Sequence, residues 1–160
     1  MKSEYINPFV QGTVETFETM CDTKPVRNGK LSIKSGIYAT TDLIAICGFS
    51  GWLKGAVVLS MTQKSGLEAV KSFTMGEIDK IDEDFTDAFG ELINIIAGAA
   101  VAKLGTIDLC LPTVHLGEDL AMYSTSTSPW VVIPMKTEKW GEFFIEISAK
   151  EDEDYDKPIL

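Results

Sequence analysis

The stretch that decides the fold runs from residue 81 to residue 105 and reads IDEDFTDAFGELINIIAGAAVAKLG. Apolar residues recur along it every three or four positions, which is the period of an amphipathic α-helix. Gly105 suits the end of such a helix, because glycine is common just past the last helical residue. We therefore predict one long helix from Ile81 to Leu104. Its apolar stripe consists of Ile81, Phe85, Phe89, Leu92, Ile96 and Ala99.

A second stripe of this helix is polar and lies away from the apolar one. Asn94 is unusual in this stripe, because asparagine is a mediocre helix former and its neighbours are small or apolar. Glycine and alanines one turn further leave a low surface that another backbone could approach. Spacing alone favours an ordinary interpretation, in which the acidic helix start suits the macrodipole and the small residues serve packing. The polar stripe comprises Asp84, Asp87, Glu91, Asn94 and Gly98.

The rest of the chain alternates between helical and strand patterns. Residues 7–20 predict an amphipathic helix, with Asn7 as its cap and Pro8 at its first helical position. Residues 63–73 predict a short helix, and the Ser/Thr-rich segment 123–129 predicts a mobile loop. We expect a single α+β domain, with a mainly antiparallel sheet packed against long helices. The predicted strands span residues 30–39, 42–49, 52–61, 107–111, 112–117, 130–135 and 141–148.

Length and charge narrow the class of protein. The chain has 160 residues, of which 45% are apolar, and this suits one core. We divide it into a domain over residues 1–150 and a flexible acidic tail over 151–160. The formal net charge of -10 argues against a nucleic-acid partner, because phosphate backbones require surplus Lys and Arg. The first residues lack the pattern of a secretory signal, so we expect a cytoplasmic protein without membrane insertion.

The side chains that usually form metal or nucleotide sites are sparse. His115 is the single histidine, and the three cysteines are widely spaced with no C-x-x-C pair. We expect buried, reduced thiols and no metal bound by the chain. Neither glycine-rich phosphate motif, G-x-x-x-x-G-K-[ST] or G-x-G-x-x-G, occurs. We therefore expect no cofactor in this chain.

At its long helix the sequence resembles the CheC/CheX/FliY family of chemotaxis phosphatases. The family signature is an acidic residue or serine, three positions, glutamate, two positions and asparagine on one helix. Asp87, Glu91 and Asn94 match it. The resemblance extends to the N-terminal helix, the predicted hairpin GFSGWLKGAVVLSM (48–61) and the segment LPTVHLG (111–117). One such helix is present, as in the CheX members, which have a single site and dimerise.

The resemblance implies a phosphatase that acts on a phosphorylated, CheY-like response regulator. The regulator supplies its phosphoaspartate, a magnesium ion and a lysine. Asn94 would then orient the attacking water, and Glu91 would pair with the regulator's lysine. Asp87 and Gly98 would belong to the partner-binding surface. The family pattern has a proline after the asparagine; Pro112 is nearest, but its spacing is shorter, and we assign it no role.

Two other functions remain open. The chain could be a non-catalytic dimeric module that binds a response regulator or a flagellar motor component. It could also act as a structural dimerisation domain, which is compatible with either function. The presence of both Glu91 and Asn94 favours the enzyme, because a site that had lost its activity would change first at those positions.

Overall fold

A computed structural model of the chain describes residues 1–125 and 127–156, and every structural statement below concerns these residues. The helices are α1 (Ser3–Cys21), α2 (Gln63–Phe73) and α3 (Glu83–Leu104). The strands are β1 (Val26–Arg27), β2 (Ser32–Lys34), β3 (Gly36–Ala39), β4 (Leu43–Gly51), β5 (Leu53–Met61), β6 (Ile107–Leu109), β7 (Thr113–Leu116), β8 (Ala121–Ser124), β9 (Trp130–Thr137) and β10 (Gly141–Glu151).

The main sheet has eight strands in the order β1-β9-β10-β5-β4-β6, with β2 also on β9 and β7 also on β4. All of its pairings are antiparallel. The hairpin predicted over residues 48–61 is the tight connection between β4 and β5, through Trp52. The three helices pack on one face of this sheet. The predicted α+β class with a mainly antiparallel sheet is therefore confirmed.

Helix α3 buries four of the six residues of the predicted apolar stripe, whereas Ile81 is exposed and Ala99 is half-buried. Phe85, Phe89, Leu92 and Ile96 are fully buried. By length and composition α3 could also cross a membrane, yet 44% of its apolar window is buried inside the protein. Its start differs from the prediction, because Asp82 caps the helix by accepting a hydrogen bond from the Phe85 amide at 3.0 Å. Ile81 therefore precedes the helix.

Helix α1 begins earlier than predicted. It starts at Ser3, so Pro8 lies inside the helix and not at its first position. Proline removes one backbone hydrogen bond there. Burial of Tyr5 and Ile6 in the same turn compensates for the loss. Tyr5 packs edge-on against Trp52 with ring centroids 5.6 Å apart, and its hydroxyl contacts the Glu151 carboxylate. These contacts lie far apart in sequence, so local pattern does not reveal them.

The strand predicted over residues 30–39 is two strands. Gly36 breaks it with φ of +78°, a conformation that glycine adopts readily. β2 stays with the main sheet, whereas β3 leaves it and pairs with β8 as a separate two-stranded sheet. Tyr38 and Met122 of that pair cover Ile44 and Val58 on the face opposite the helices.

Further differences concern short or terminal segments. β8 extends into the predicted loop over residues 123–129, whose residue 126 lies outside the described residues. β10 continues to Glu151, and the Asp152 amide donates to the Trp52 carbonyl at 2.8 Å. The division into domain and flexible tail stays a prediction, and residues 157–160 lie outside the described part. Cys110 is exposed, contrary to the expectation of buried thiols, because it follows the edge strand β6.

Helices α1 and α3 touch through backbone at Gly12. A methyl group there would lie 2.8 Å from the Ile96 carbonyl oxygen, closer than real contacts allow. Gly98 on α3 is different, since nothing lies within 4 Å of the corresponding position. The close backbone approach that the small residues of α3 suggest is thus made by α1, and Gly98 stays uncovered.

We expect Gly12→Ala and Gly98→Ala to change stability in opposite directions. Gly12→Ala should lower the free energy of unfolding by about 1–3 kcal/mol, because the helices must move apart. Gly98→Ala should raise it by up to about 1 kcal/mol, because alanine is the better helix former. Denaturant unfolding of both variants checks this. Equal effects would show that the close α1–α3 backbone contact does not require glycine at position 12.

Candidate functional site

The polar stripe of α3 lies on the side of the helix that the core does not cover. Asp87 and Glu91 are exposed, while Asn94 and Gly98 are half-buried. Within the described part of the chain, the side chains of Asp87, Glu91 and Asn94 make no hydrogen bond or ion pair. Their oxygen atoms, and the Asn94 amide, are therefore available to a partner molecule.

The core determines which way these side chains point. Asp82 and the Thr86 hydroxyl, which donates to the Glu83 carbonyl at 2.8 Å, organise the first turn of α3. At the other end, the Trp52 indole donates to the Leu104 carbonyl at 3.2 Å. With both ends held and the apolar stripe buried, α3 cannot rotate about its axis without exposing its core side chains.

A shallow depression of about 350 Å³ lies beside the polar stripe. Gly90 faces Val114 and Pro112 here, and a methyl group at Gly90 would meet them at ordinary contact distances of 3.5 Å and 3.9 Å. Asp87 and Glu91 line the depression, whereas Asn94 lies one turn further along α3. The lining residues are Thr86, Asp87, Gly90, Glu91, Pro112 and Val114.

Pro112 and Val114 line the depression beside Asp87 and Glu91, and no sequence pattern places them there. From sequence, Pro112 has no assigned role, because it follows Asn94 at a shorter spacing than the family pattern has. Pairing of β7 with β4 brings the segment beside α3, with Val114 opposite Ala45. Sequence separation gave no measure of that spatial distance.

The electrostatic character of the site is acidic. Asp84, Asp87 and Glu91 are exposed on successive turns, and the depression has no basic lining residue. Among the described residues, no group of three or more His, Cys, Asp or Glu side chains is placed to hold a metal ion. The exposed carboxylates give this surface a negative charge, and its groups can accept or donate hydrogen bonds.

Comparison with known proteins identifies the family. Residues 43–136, more than half of the chain, match the family model of chemotaxis phosphatase CheX. The chain belongs to the CheX family of chemotaxis phosphatases. It is 28% identical over 155 residues to the CheY-P phosphatase CheX of Thermotoga maritima, covering 94% of this chain and 98% of that protein.

Solved CheX structures share the fold. A chemotaxis protein CheX from Desulfovibrio desulfuricans is 29% identical, with a TM-score of 0.80 over 92% of this chain and 99% of that one. The CheX of a CheX-CheY-BeF3-Mg+2 complex from Borrelia burgdorferi is 23% identical, with a TM-score of 0.74 over 92% and 98%. The second likeness supports the fold alone. The chain is thus a member of a family of response-regulator phosphatases, which are hydrolases.

Asp82, which caps α3, and Asp87, which lies within it, provide a matched pair of variants for a stability measurement. Asp82→Ala should lower the free energy of unfolding by about 1 kcal/mol, because it removes the helix cap. Asp87→Ala should change it by less than about 0.5 kcal/mol, because that side chain is exposed and makes no hydrogen bond or ion pair among the described residues. Urea unfolding of both variants checks the difference, and a large loss with Asp87→Ala would show that Asp87 is a structural residue.

Proposed function

We propose that this CheX protein hydrolyses the aspartyl phosphate of a CheY-like response regulator, with Glu91 and Asn94 as its catalytic residues. The observation that carries the proposal is that, among the described residues, neither side chain has a hydrogen-bond or ion-pair partner, on a helix anchored in the core. The relative from Thermotoga maritima, named a CheY-P phosphatase, supports the choice of substrate. Glu91 and Asn94 also match the family signature.

Spacing on the helix allows both side chains to enter one cleft of the partner. Residues three positions apart lie on the same face, about 4.5 Å apart along the helix axis. In the proposed reaction, the carboxamide oxygen of Asn94 accepts a hydrogen bond from a water in line with the phosphorus. The water oxygen bonds to phosphorus as the bond to the aspartyl oxygen breaks, releasing inorganic phosphate and a free aspartate.

A neutral amide suits this role because phosphoryl transfer depends mainly on positioning and charge stabilisation. Asn94 holds the water without being consumed. Glu91 contributes by pairing with a lysine of the regulator, which aligns the two proteins. Asp87 adds negative charge one turn before Glu91, and Gly98 leaves room for the partner's backbone beyond Asn94, with no atom within 4 Å of its methyl position.

Magnesium in this proposal belongs to the regulator and not to CheX. The acidic groups of α3 point along the helix surface and do not converge into a metal site among the described residues. A divalent ion held by the partner would offset the charge of the phosphoryl group during transfer. Phosphate release that persists with CheX but without magnesium would contradict this division of roles.

We further propose a cytoplasmic homodimer. Ile37 and Tyr123 face each other across the β3–β8 pair and are 78% and 69% exposed, and Ile33 on neighbouring β2 is 67% exposed. Such exposed apolar side chains suit a contact between two copies. A monomeric mass in light scattering at all protein concentrations would contradict the dimer. Recovery of the protein in the membrane fraction of cells would contradict the cytoplasmic location.

Replacing Asn94 by alanine should remove catalysis and leave the fold intact. Because Asn94 makes no hydrogen bond and alanine favours helix, we expect stability to stay within about 0.5 kcal/mol or to rise. The rate of phosphate release should fall by about 10²-fold or more, since the water loses its positioning group. The measurement follows phosphate from a phosphorylated regulator with magnesium.

A binding measurement separates a loss of catalysis in Asn94→Ala from a loss of docking. Asn94→Ala should still bind the phosphorylated regulator in a titration, because docking depends on Glu91. Hydrolysis at the wild-type rate would remove Asn94 from catalysis. Binding by the unmodified protein without any acceleration of phosphate release would instead favour the non-catalytic module.

Reversing the charge at Glu91 should act on docking. Glu91→Lys places a cation against the regulator's lysine, and like charges disfavour association. We expect a higher Kd for the regulator, whereas Glu68→Lys, at an exposed position of α2, serves as a charge-matched control with little effect. Equal affinities for the two variants in calorimetric titration would exclude Glu91 from the interface.

A further inference from the structure

The carboxylate of Glu146 is buried in the sheet and has no role in the proposed phosphatase site. This residue lies in the middle of β10 and is only 3% exposed. Its strand neighbours Ile145 and Ile147 point toward the helices, so Glu146 points to the opposite face of the sheet. It is flanked there by Val58 and Val132 on the adjacent strands. Its oxygen Oε2 has no hydrogen-bond partner among the residues that the structure describes.

A buried carboxylate without a partner is unfavourable, because it has lost water and gained no replacement. Burial accordingly raises the pKa of Glu146 to about 7, and nearby Lys34 acts in the lowering direction. Apolar side chains would pack this face of the sheet at a lower cost. The buried carboxylate therefore does not serve to stabilise the fold, which favours a role in binding.

Glu146 lines a cavity of about 350 Å³ beneath β2 and β3. That volume lies within the range of about 300–1,000 Å³ typical of small-molecule sites. The cavity is separate from the Glu91 and Asn94 site, because it opens on the face of the sheet away from α3. Its lining residues are Ser32, Lys34, Tyr38, Ala39, Thr40, Thr41, Ser60, Val132, Phe144 and Glu146.

Most hydroxyl groups of this cavity already have partners inside the protein. Thr41 and Ser60 share a hydrogen bond of 2.7 Å, and Thr40 donates to the Thr41 carbonyl at 2.8 Å. The Tyr38 hydroxyl contacts the Met122 sulfur at 3.8 Å. The side chains of Lys34 and Glu146 are different, because neither makes a hydrogen bond or an ion pair among the described residues.

Lys34 and Glu146 line the same cavity and do not pair, although the ionised form of Glu146 carries the opposite charge to Lys34. No ion pair within 4.0 Å joins them in the described part of the chain. Opposite charges separated by a cavity can each satisfy one end of a molecule that carries both an ammonium and a carboxylate group. An ammonium group supplies the donor that Oε2 lacks, and the Lys34 ammonium donates to the carboxylate.

We propose that this cavity binds a small zwitterion of the α-amino-acid type, held between Glu146 and Lys34. The ammonium group of the ligand contacts the buried Glu146, and its carboxylate contacts the exposed Lys34. The aromatic ring of Phe144 and the Val132 side chain supply an apolar wall, which favours ligands with a short aliphatic side chain.

Three probes that differ by one group test the proposal, namely L-alanine, ethylamine and propionate. Ethylamine lacks the carboxylate of alanine, and propionate lacks its ammonium group. A ligand that binds only the folded state raises Tm in a concentration-dependent way. We expect alanine to raise Tm more than ethylamine or propionate at equal concentration, and to shift the NMR signals of the Tyr38 and Phe144 rings.

Variants assign that effect to the two charged groups. Glu146→Gln keeps the shape of the side chain but removes its charge, and Lys34→Met removes the other charge at an exposed position. Both should abolish the shift caused by alanine, whereas Glu142→Gln, an exposed control on the same strand, should retain it. Using two charge variants keeps the test valid if one of them folds poorly.

Three results would overturn the proposal. The first is no Tm shift and no NMR shift with any probe up to high concentration, which would mean that the cavity holds water or a second copy of the chain. The second is an alanine effect that survives both Glu146→Gln and Lys34→Met. The third is an ethylamine effect equal to that of alanine, because the carboxylate would then contribute nothing.

Discussion

The structure depends on the burial of one stripe of α3 between α1 and the antiparallel sheet. Phe85, Phe89, Leu92 and Ile96 are each fully buried, and burial of such side chains contributes about 1.5–3 kcal/mol apiece. The Gly12 contact brings α1 onto the Ile96 backbone and closes this layer. Rotation of α3 would expose these groups, so the helix presents one fixed surface.

That constraint explains how a site can lie on an otherwise ordinary core helix. A stripe that faces away from the core costs little stability, and its side chains need no partners within the chain. Glu91 and Asn94 are in this position. The same sheet separates two environments, because one face supports α3, which carries the proposed site, and the other face bears the cavity at Glu146. Each surface is supported by the shared rigid layer.

Sequence patterns succeeded where the periodic signal was long. The apolar stripe of α3, the helix at residues 63–73 and the hairpin of β4 and β5 all follow from local periodicity and turn residues. They failed where distant contacts decided the outcome. The extra turn of α1 before Pro8 depends on burial of Tyr5 against Trp52, and the departure of β3 depends on a partner strand 84 residues away from Tyr38.

The sequence by itself determined the fold class and the face of α3 on which Asp87, Glu91 and Asn94 lie, because helical spacing alone places them together. Their suggested roles came from resemblance to a family and not from spacing. Only the tertiary structure decided that Pro112 and Val114 face Glu91 across a depression, and that Glu146 and Lys34 share a cavity. The physical reason is that strand pairing brings distant segments together, and no local periodicity encodes which strands will pair.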